Sequence, residues 1–304
     1  MTSSFGSRKR LSVPLRRATL PFASSTSHVE EDQTRYTDED ALILVMGPSG
    51  VGKSTFINNY LGRDAARVTH DYSTCTRTVT AFPDSIPDDW LPSPKKRLVL
   101  VDTPGFFGGD GSDLDALQRI SNWLRPKNMP ERHLTGIIYL HDMTQKRMVR
   151  ETQMSFDLFQ KICGPDSCPK TFLVKTQWPR PPDAQSLIRS IDLDNTFFKQ
   201  MTEAGARSLD LRDDVTERDV VKSVFEKDVA NSIILHLQRE LREGKTIPAT
   251  DAGKELRRCL MELLMYSDPS SQREQVAVIK KTIKQLSADP SMRSRIKTWV
   301  RQRF

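Results

Sequence analysis

The sequence GPSGVGKS, residues 47–54, follows directly on the apolar run ALILVM at residues 41–46. An apolar run of this length is typical of a buried β-strand, and the three glycines permit a tight turn before a helix. In a loop with the spacing G-x-x-x-x-G-K-S, backbone N–H groups face phosphate oxygens, which the lysine neutralises while the serine hydroxyl ligates Mg²⁺. A chance glycine-rich turn is the alternative, and eight defined positions after a strand make it the weaker one.

The stretch therefore predicts a phosphate-binding loop. Nine consecutive residues are expected to contact the phosphates: Gly47, Pro48, Ser49, Gly50, Val51, Gly52, Lys53, Ser54 and Thr55.

Length and charge set the wider frame. A chain of 304 residues can hold one α/β domain with an appendage, or two small domains. The net charge of +7 lies at the ends, because residues 1–29 carry five basic groups and residues 280–304 carry eight against one acid. No apolar run approaches the roughly 18 residues that a membrane span needs. The four cysteines form no CxxC pair, which favours reduced thiols and a cytoplasmic location.

The chain divides into three predicted segments. Residues 1–36 are rich in Ser, Thr and Arg and are expected to be a disordered basic tail, with an organelle-targeting presequence in residues 1–29 as the weaker alternative. Residues 37–243 are expected to form an α/β nucleotide-binding domain, and residues 244–304 a basic helical extension.

Hydrophobic periodicity predicts alternating strands and helices in the α/β domain. The strands are expected at residues 41–46, 76–82, 97–101, 136–140, 171–175 and 206–211. The helices are expected at residues 53–61, 112–124, 151–162, 194–204 and 216–242, followed by two more around Leu256–Leu263 and Val276–Leu286. Single helices between strands indicate a mostly parallel sheet covered on both faces.

A second motif, VLVDTPG at residues 99–105, ends an apolar strand about 50 residues after the phosphate loop. Asp102 at the strand end can hold a water molecule on Mg²⁺, and the backbone N–H of Gly105 can approach the γ-phosphate, a contact that changes on hydrolysis. Helicase-type ATPases favour a second acid directly after the aspartate, where this chain has Thr103. The motif therefore indicates a GTPase-type switch.

A threonine that closes over Mg²⁺ is expected between the two motifs. Thr74, Thr76 and Thr78 are the candidates, and Thr76 is favoured as both metal ligand and catalytic residue. The alternative is that all three are ordinary strand-edge threonines.

The order GPSGVGKS, STCT, VDTPGF and GIIYLHDMTQKRM resembles the septin-like and immunity-associated P-loop GTPases, above all the fungal "G domain-containing" group. The resemblance spans roughly residues 41–230. It implies a Ras-like sheet with an antiparallel edge strand, GTP or GDP with Mg²⁺ as ligands, and homodimerisation through the G domain. Lys53, Thr76 and Gly105 are then the catalytic candidates, and Ser54, Thr76 and Asp102 the metal ligands.

Two departures from the family pattern bear on function. Phe106 stands where Ras-like enzymes have a glutamine that orients the attacking water, so hydrolysis is expected to be slow or completed by another group, such as a residue across a dimer, His70 or Arg77. In the guanine-recognising loop, Lys175, Thr176 and Trp178 match the family and are the candidates for base contact, and Pro179 replaces the family's acid. Lys175 is expected to lie along the base with its aliphatic stem and Trp178 to stack on it.

These observations predict a Mg²⁺-dependent guanine-nucleotide-binding protein with slow GTP hydrolysis, acting as a switch or assembly GTPase. A non-hydrolysing nucleotide-binding scaffold is the alternative, its base not necessarily guanine, and a P-loop kinase is a weaker third. His141 is expected to be a solvated strand-end side chain. Residues 272–304 could bind a helical protein partner or an anionic membrane surface, or could be a hairpin packed on its own domain. No nucleic-acid module stands out.

Overall fold

The computed structural model describes residues 36–66, 68, 78–90, 93, 95–108, 112–125, 132–226, 231–267 and 272–287. The predicted basic tail lies outside these residues, apart from residue 36. Thr76 also lies outside them, as does the basic segment from residue 288 onward. No helix in the described ranges is long and apolar enough to cross a membrane.

The described strands form one six-stranded sheet in the order β2-β3-β1-β4-β5-β6. In chain order the strands are β1 (Asp40–Met46), β2 (Thr80–Ser85), β3 (Arg97–Asp102), β4 (Gly136–Asp142), β5 (Thr171–Thr176) and β6 (Arg207–Asp210). Only the pairing of β2 with β3 is antiparallel; the other pairings among these strands are parallel. The mostly parallel sheet and its antiparallel edge strand are as predicted.

Helices cover both faces of this sheet. They are α1 (Lys53–Leu61), α2 (Asp113–Leu124), α3 (Arg150–Cys163), α4 (Ala184–Asn195), α5 (Lys199–Glu203), α6 (Glu217–Glu226), α7 (His236–Arg242), α8 (Asp251–Tyr266) and α9 (Arg273–Gln285). Because successive side chains of a strand point to opposite faces, β1 supplies Leu42 and Leu44 to one hydrophobic core and Ile43 and Val45 to the other. Helices α1 and α6 cover the second core, and side chains of α2–α5 and α7–α9 pack into the first.

Two predicted elements have different boundaries in the structure. The strand predicted at residues 76–82 is described from Thr80 and continues to Ser85 through Pro83, which is tolerated because β2 lies at the sheet edge. The helix predicted at residues 194–204 is instead α4 and the short α5. Helix α4 begins ten residues earlier than predicted because Asp183 caps it, its carboxylate accepting the N–H of Ser186 at 2.6 Å.

The single helix predicted over residues 216–242 is wrong. Thr216 and Asp219 form the predicted capping box and α6 begins directly after Thr216, but α6 ends at Glu226. Further on, Ile233 exchanges two backbone hydrogen bonds with Leu134, at 2.8 and 2.9 Å, which a helical residue could not do. Helix α7 begins only after this extended contact.

The two C-terminal helices pack on the α/β domain. The apolar seam of α9 is buried against α8, and α8 packs against α3 within the same hydrophobic core. In the described part of the chain this seam is therefore covered from within, as the hairpin interpretation predicts. The described residues belong to one compact unit, and the boundary at residue 244 stays a prediction about sequence organisation.

Candidate functional site

The predicted phosphate loop joins β1 to α1. Gly47 adopts φ 145°, and a Cβ atom there would lie 2.7 Å from the carbonyl oxygen of Leu140 in β4, so only glycine fits. Gly52 adopts φ 94° and precedes α1. Lys53 is 6% exposed, and its Nζ donates to the carbonyl oxygens of Gly47 at 3.1 Å and Pro48 at 2.8 Å. The loop thus folds around the ammonium group that is predicted to neutralise phosphate.

Two of the predicted metal ligands meet directly. β1 and β3 are parallel neighbours, so the residues that follow β1 lie beside the end of β3. The Ser54 hydroxyl donates to Oδ2 of Asp102 at 2.6 Å, and Asp102 is 2% exposed. A hydroxyl and a carboxylate oxygen are hard donors of the kind that Mg²⁺ prefers, so this pair fits the ion. Thr76, the third predicted ligand, lies outside the described residues.

The switch motif lies against the phosphate loop. The backbone N–H of Ser49 donates to the carbonyl oxygen of Phe106 at 3.1 Å, and the Thr103 hydroxyl donates to that of Val45 at 2.8 Å. A Cβ atom at Gly105 would lie 2.5 Å from Cα of Ser49 and 2.8 Å from Nζ of Lys53. This backbone approaches the phosphate loop as closely as a glycine allows.

The two phenylalanines after Gly105 are both buried in the same hydrophobic core, and only Phe107 also lines the cleft beside the phosphate loop. Phe106 is 3% exposed and belongs to the hydrophobic core. Phe107 lines the cleft, adopts φ 58°, and donates its N–H to Oδ1 of Asp113 at 2.6 Å. At the position where Ras-like enzymes have a water-orienting glutamine, the side chain is therefore apolar, buried and not part of the cleft lining.

A large open cleft of about 1360 Å³ extends from the phosphate loop. Its lining comes mainly from three segments, residues 49–56, 176–182 and 211–213. The first is the phosphate loop with the start of α1, the second follows β5, and the third follows β6. All three lie at the carboxyl-terminal edge of the sheet, where parallel α/β folds bind ligands.

The three predicted base-contacting residues separate in the structure. Thr176 and Trp178 line the cleft, and the indole Nε1 of Trp178 donates to the carbonyl oxygen of Lys175 at 3.0 Å. Lys175 itself is buried and does not line the cleft. Its Nζ contacts Ser190, Asp194 and Asp210 at 2.7–2.9 Å. This placement differs from the expected contact along the base, because three oxygen atoms beneath the loop hold the ammonium group.

Sequence reasoning missed two contributors to the cleft. Gln177 adopts φ 54°, and its Nε2 donates to the carbonyl oxygen of Val51 at 2.9 Å, tying the loop after β5 to the phosphate loop. The segment 211–213 was not predicted to contribute to the site, and residue 211 was expected only as the end of the strand at residues 206–211. The acidic pair Asp213-Asp214, shortly after the strand predicted at residues 206–211, was the available signal.

His141 is not the solvated side chain that was expected. It is 6% exposed, its ring packs edge-on against Phe198, and it lines a separate cavity of about 290 Å³ that also includes Arg189. Burial lowers the pKa of His141 to about 4; Asp142 opposes this shift and Lys175 adds to it. The imidazole is therefore neutral at physiological pH.

One further cluster of titratable groups joins α7 to α8. His236, Glu240 and Asp251 bring their ligand atoms within 4.8 Å of one another. Lys245 contacts Glu240 at 3.1 Å and Lys254 contacts Asp251 at 3.0 Å, and Glu240 also accepts the backbone N–H of Asp251. We interpret the group as an ion-pair network at the start of α8.

Comparison with known proteins agrees with the fold. The model of the family described as "50S ribosome-binding GTPase" matches residues 42–160, less than half of the chain. The matched segment contains the predicted phosphate loop and the Asp102–Gly105 motif, so the similarity to this GTPase family includes both motifs. No curated protein matches the chain.

Solved structures similar to this chain include two of Toc33 from Arabidopsis thaliana and one of Era from Aquifex aeolicus. Toc33 in complex with Mg²⁺ and GMPPNP is 19% identical, over 63% of this chain and 85% of that chain, with a TM-score of 0.47. Toc33 in complex with GDP and Mg²⁺ is 20% identical, over 65% and 88%, with a TM-score of 0.48. A point variant of Era bound to GDP and AlF₄⁻ is 16% identical, over 75% and 69%, with a TM-score of 0.45.

The six-stranded, mostly parallel sheet with helices on both faces is a P-loop GTPase fold. The resemblance to septin-like and fungal proteins stays a prediction.

Proposed function

We propose that this protein binds GTP and GDP with Mg²⁺ and acts as a switch or assembly GTPase with slow intrinsic hydrolysis. The observation that carries the proposal is the contact between the two loops: a Cβ at Gly105 would lie 2.5 Å from Cα of Ser49 and 2.8 Å from Nζ of Lys53. A group placed so close to the phosphate loop can respond to the presence or absence of a γ-phosphate.

The proposed roles follow from these positions. Lys53 and the backbone N–H groups of residue 47 and residues 49–55 bind the phosphates, and Lys53 stabilises the charge that develops during transfer. Ser54 and Asp102 would hold Mg²⁺, which supplies charge neutralisation between the phosphates; Thr76 is proposed as the third ligand. The N–H of Gly105 contacts the γ-phosphate. Thr176 and Trp178 are proposed to contact the base.

Slow hydrolysis is proposed because Phe106 is buried in the core, so no side chain at that position orients water. A homodimer through the G domain could supply the missing group. A charged residue provided in trans raises the rates of such enzymes by about 10³–10⁵.

Lys53→Ala tests the site. We expect the variant to lose GTP and GDP binding in calorimetric titrations with Mg²⁺, because no other cation lies at the centre of the loop in the described part of the chain. Lys96→Ala is the matched control, since the Lys96 side chain is 72% exposed just before β3 and pairs with Glu39. GTP binding by Lys53→Ala at wild-type affinity would show that the site assignment is wrong.

A nucleotide-binding scaffold without turnover is the second candidate, favoured by the same burial of Phe106. Single-turnover phosphate release, measured across protein concentrations, separates the two. A rate that rises with concentration supports a dimer-assisted GTPase, whereas no release at any concentration leaves only the scaffold.

A further inference from the structure

The loop after β5 lacks the carboxylate that distinguishes guanine from other bases. Such a carboxylate accepts hydrogen bonds from N1–H and the 2-amino group of guanine, and adenine offers neither donor at these positions. Pro179 stands where the acid was expected. The nearest acid further along this loop, Asp183, is occupied as the cap of α4, where it accepts the N–H of Ser186 at 2.6 Å. A carboxylate for the base must therefore come from another segment.

We propose that Asp213, in the loop after β6, is the residue that recognises guanine. The inference rests on the proposed function, since it assigns the base end of the same nucleotide cleft.

The sheet brings this loop beside the one after β5. β5 and β6 are parallel neighbours with Lys175 opposite Asp210, so the chain segments that leave both strands emerge at the same edge. The N–H of Leu211 donates to the carbonyl oxygen of Lys175 at 2.9 Å, and the Trp178 indole donates to the same oxygen at 3.0 Å. One acceptor thus joins the two loops, and both line the cleft with the phosphate loop.

The local geometry holds Asp213 at the surface of the cleft. Its backbone adopts φ 55°, a left-handed turn that ends the extended segment of β6. Oδ2 accepts a hydrogen bond from Nη1 of Arg212 at 2.5 Å, and Arg212 in turn lies 5.0 Å from the centre of the Trp178 ring and contacts Asp210 at 3.4 Å. Arg212 therefore links the acid to the loop after β5.

The Asp213 carboxylate has acceptor capacity for a base. A carboxylate offers about four lone-pair sites, and the contact with Arg212 uses one of them. The side chain is 58% exposed, which leaves it accessible to a ligand. Glu217 is the other carboxylate among the described residues that line the cleft, and it accepts a hydrogen bond from Asn59 of α1 at 2.8 Å. Asp213 is thus the acid adjacent to the base-side loop.

Asp213→Asn tests the assignment through base specificity. Asparagine keeps one acceptor and gains a donor, so it no longer matches guanine but matches xanthine, which has a carbonyl oxygen in place of the 2-amino group. We expect the variant to bind GTP about 10- to 100-fold more weakly and XTP more tightly than the wild type, since hydrogen bonds to a charged group contribute about 1.5–3 kcal/mol. Asp214→Asn is the matched control: it removes the same charge one residue further along, outside the cleft lining.

The wild type provides a second measurement. ITP, which lacks the 2-amino group, is expected to bind about tenfold more weakly than GTP, and ATP more weakly still. Two results would overturn the role of Asp213 but not the proposed function. One is an unchanged ratio of GTP to XTP affinity in Asp213→Asn. The other is Lys53-dependent binding of ATP to the wild type that is as tight as the binding of GTP. Failure of the wild type to bind any triphosphate would instead overturn the proposed function.

Discussion

Gly105→Ala probes the contact between the phosphate loop and the switch motif. The added Cβ would lie 2.5 Å from Cα and 2.6 Å from N of Ser49, and 2.8 Å from Nζ of Lys53. The lysine end is flexible and can move, but the Ser49 contacts are backbone. Ordinary contacts begin at 3.4 Å, so the two loops must separate by about 0.9 Å to accept the methyl group.

A separation of this size is large on the scale of a phosphate site. A misplacement of about 1 Å can cost about 10²-fold in a reaction that depends on positioning. We therefore expect Gly105→Ala to lower the GTP hydrolysis rate or the GTP affinity by about 100-fold. The effect on GDP affinity should be smaller, because the Gly105 N–H is assigned to the γ-phosphate.

The assay is titration of the variant with GTP and with GDP in the presence of Mg²⁺, followed by single-turnover phosphate release. Gly62→Ala at the end of α1 is the control, since a Cβ there meets no atom within 4 Å and only its φ of 62° is strained. Thermal unfolding shows that both variants are folded. A folded Gly105→Ala that binds GTP and GDP and also releases phosphate like the wild type would refute the proposed contact with the γ-phosphate.

Two further predictions concern pH and the cleft. Burial lowers the pKa of His141 from 6.5 to about 4. Between these pH values the imidazole binds a proton in the unfolded chain and stays neutral in the folded chain. The free energy of unfolding therefore falls as the pH falls from 6.5 to about 4. Denaturant titrations measure the free energy of unfolding at pH 7 and pH 4.5. Between these two pH values the wild type should lose about 2–3 kcal/mol more than His141→Phe. Equal losses in the two proteins would contradict the burial of His141. Gln177→Ala removes the 2.9 Å hydrogen bond to the Val51 carbonyl and is expected to weaken nucleotide binding about three- to tenfold. Calorimetry measures this loss, with Gln160→Ala on α3, outside the cleft lining, as the control. Identical dissociation constants for Gln177→Ala and the wild type would contradict a role of Gln177 in binding.

The elements that the sequence predicts best are those whose signal is local. The phosphate loop needs glycines at defined positions after a strand, and β1, α1, β4 and α3 lie within two residues of their predicted ends. The proximity of Ser54 and Asp102 was predictable as well, because the residues after one parallel strand lie beside the end of its neighbour.

Elements that depend on distant partners were predicted less well. Residues 216–242 have helical periodicity, yet Ile233 pairs with the backbone of Leu134, about 100 residues away in sequence. Tertiary pairing overrides local propensity at such a point. His141 illustrates the same limit, since its ring packs against Phe198, which lies between α4 and α5 much later in the chain.

Local spacing alone predicts a triphosphate site with a GTPase-type switch, because residues 47–54 and 102–105 carry their chemistry within a few consecutive positions. Tertiary contacts determine which side chains reach the base end of that site. Lys175 matched a family position, but three oxygen atoms from α4 and β6 hold its ammonium group beneath the cleft. Asp213 matched no motif, and the parallel pairing of β5 with β6 brings it to the cleft. Both placements depend on segments far apart in sequence, and no local pattern encodes them.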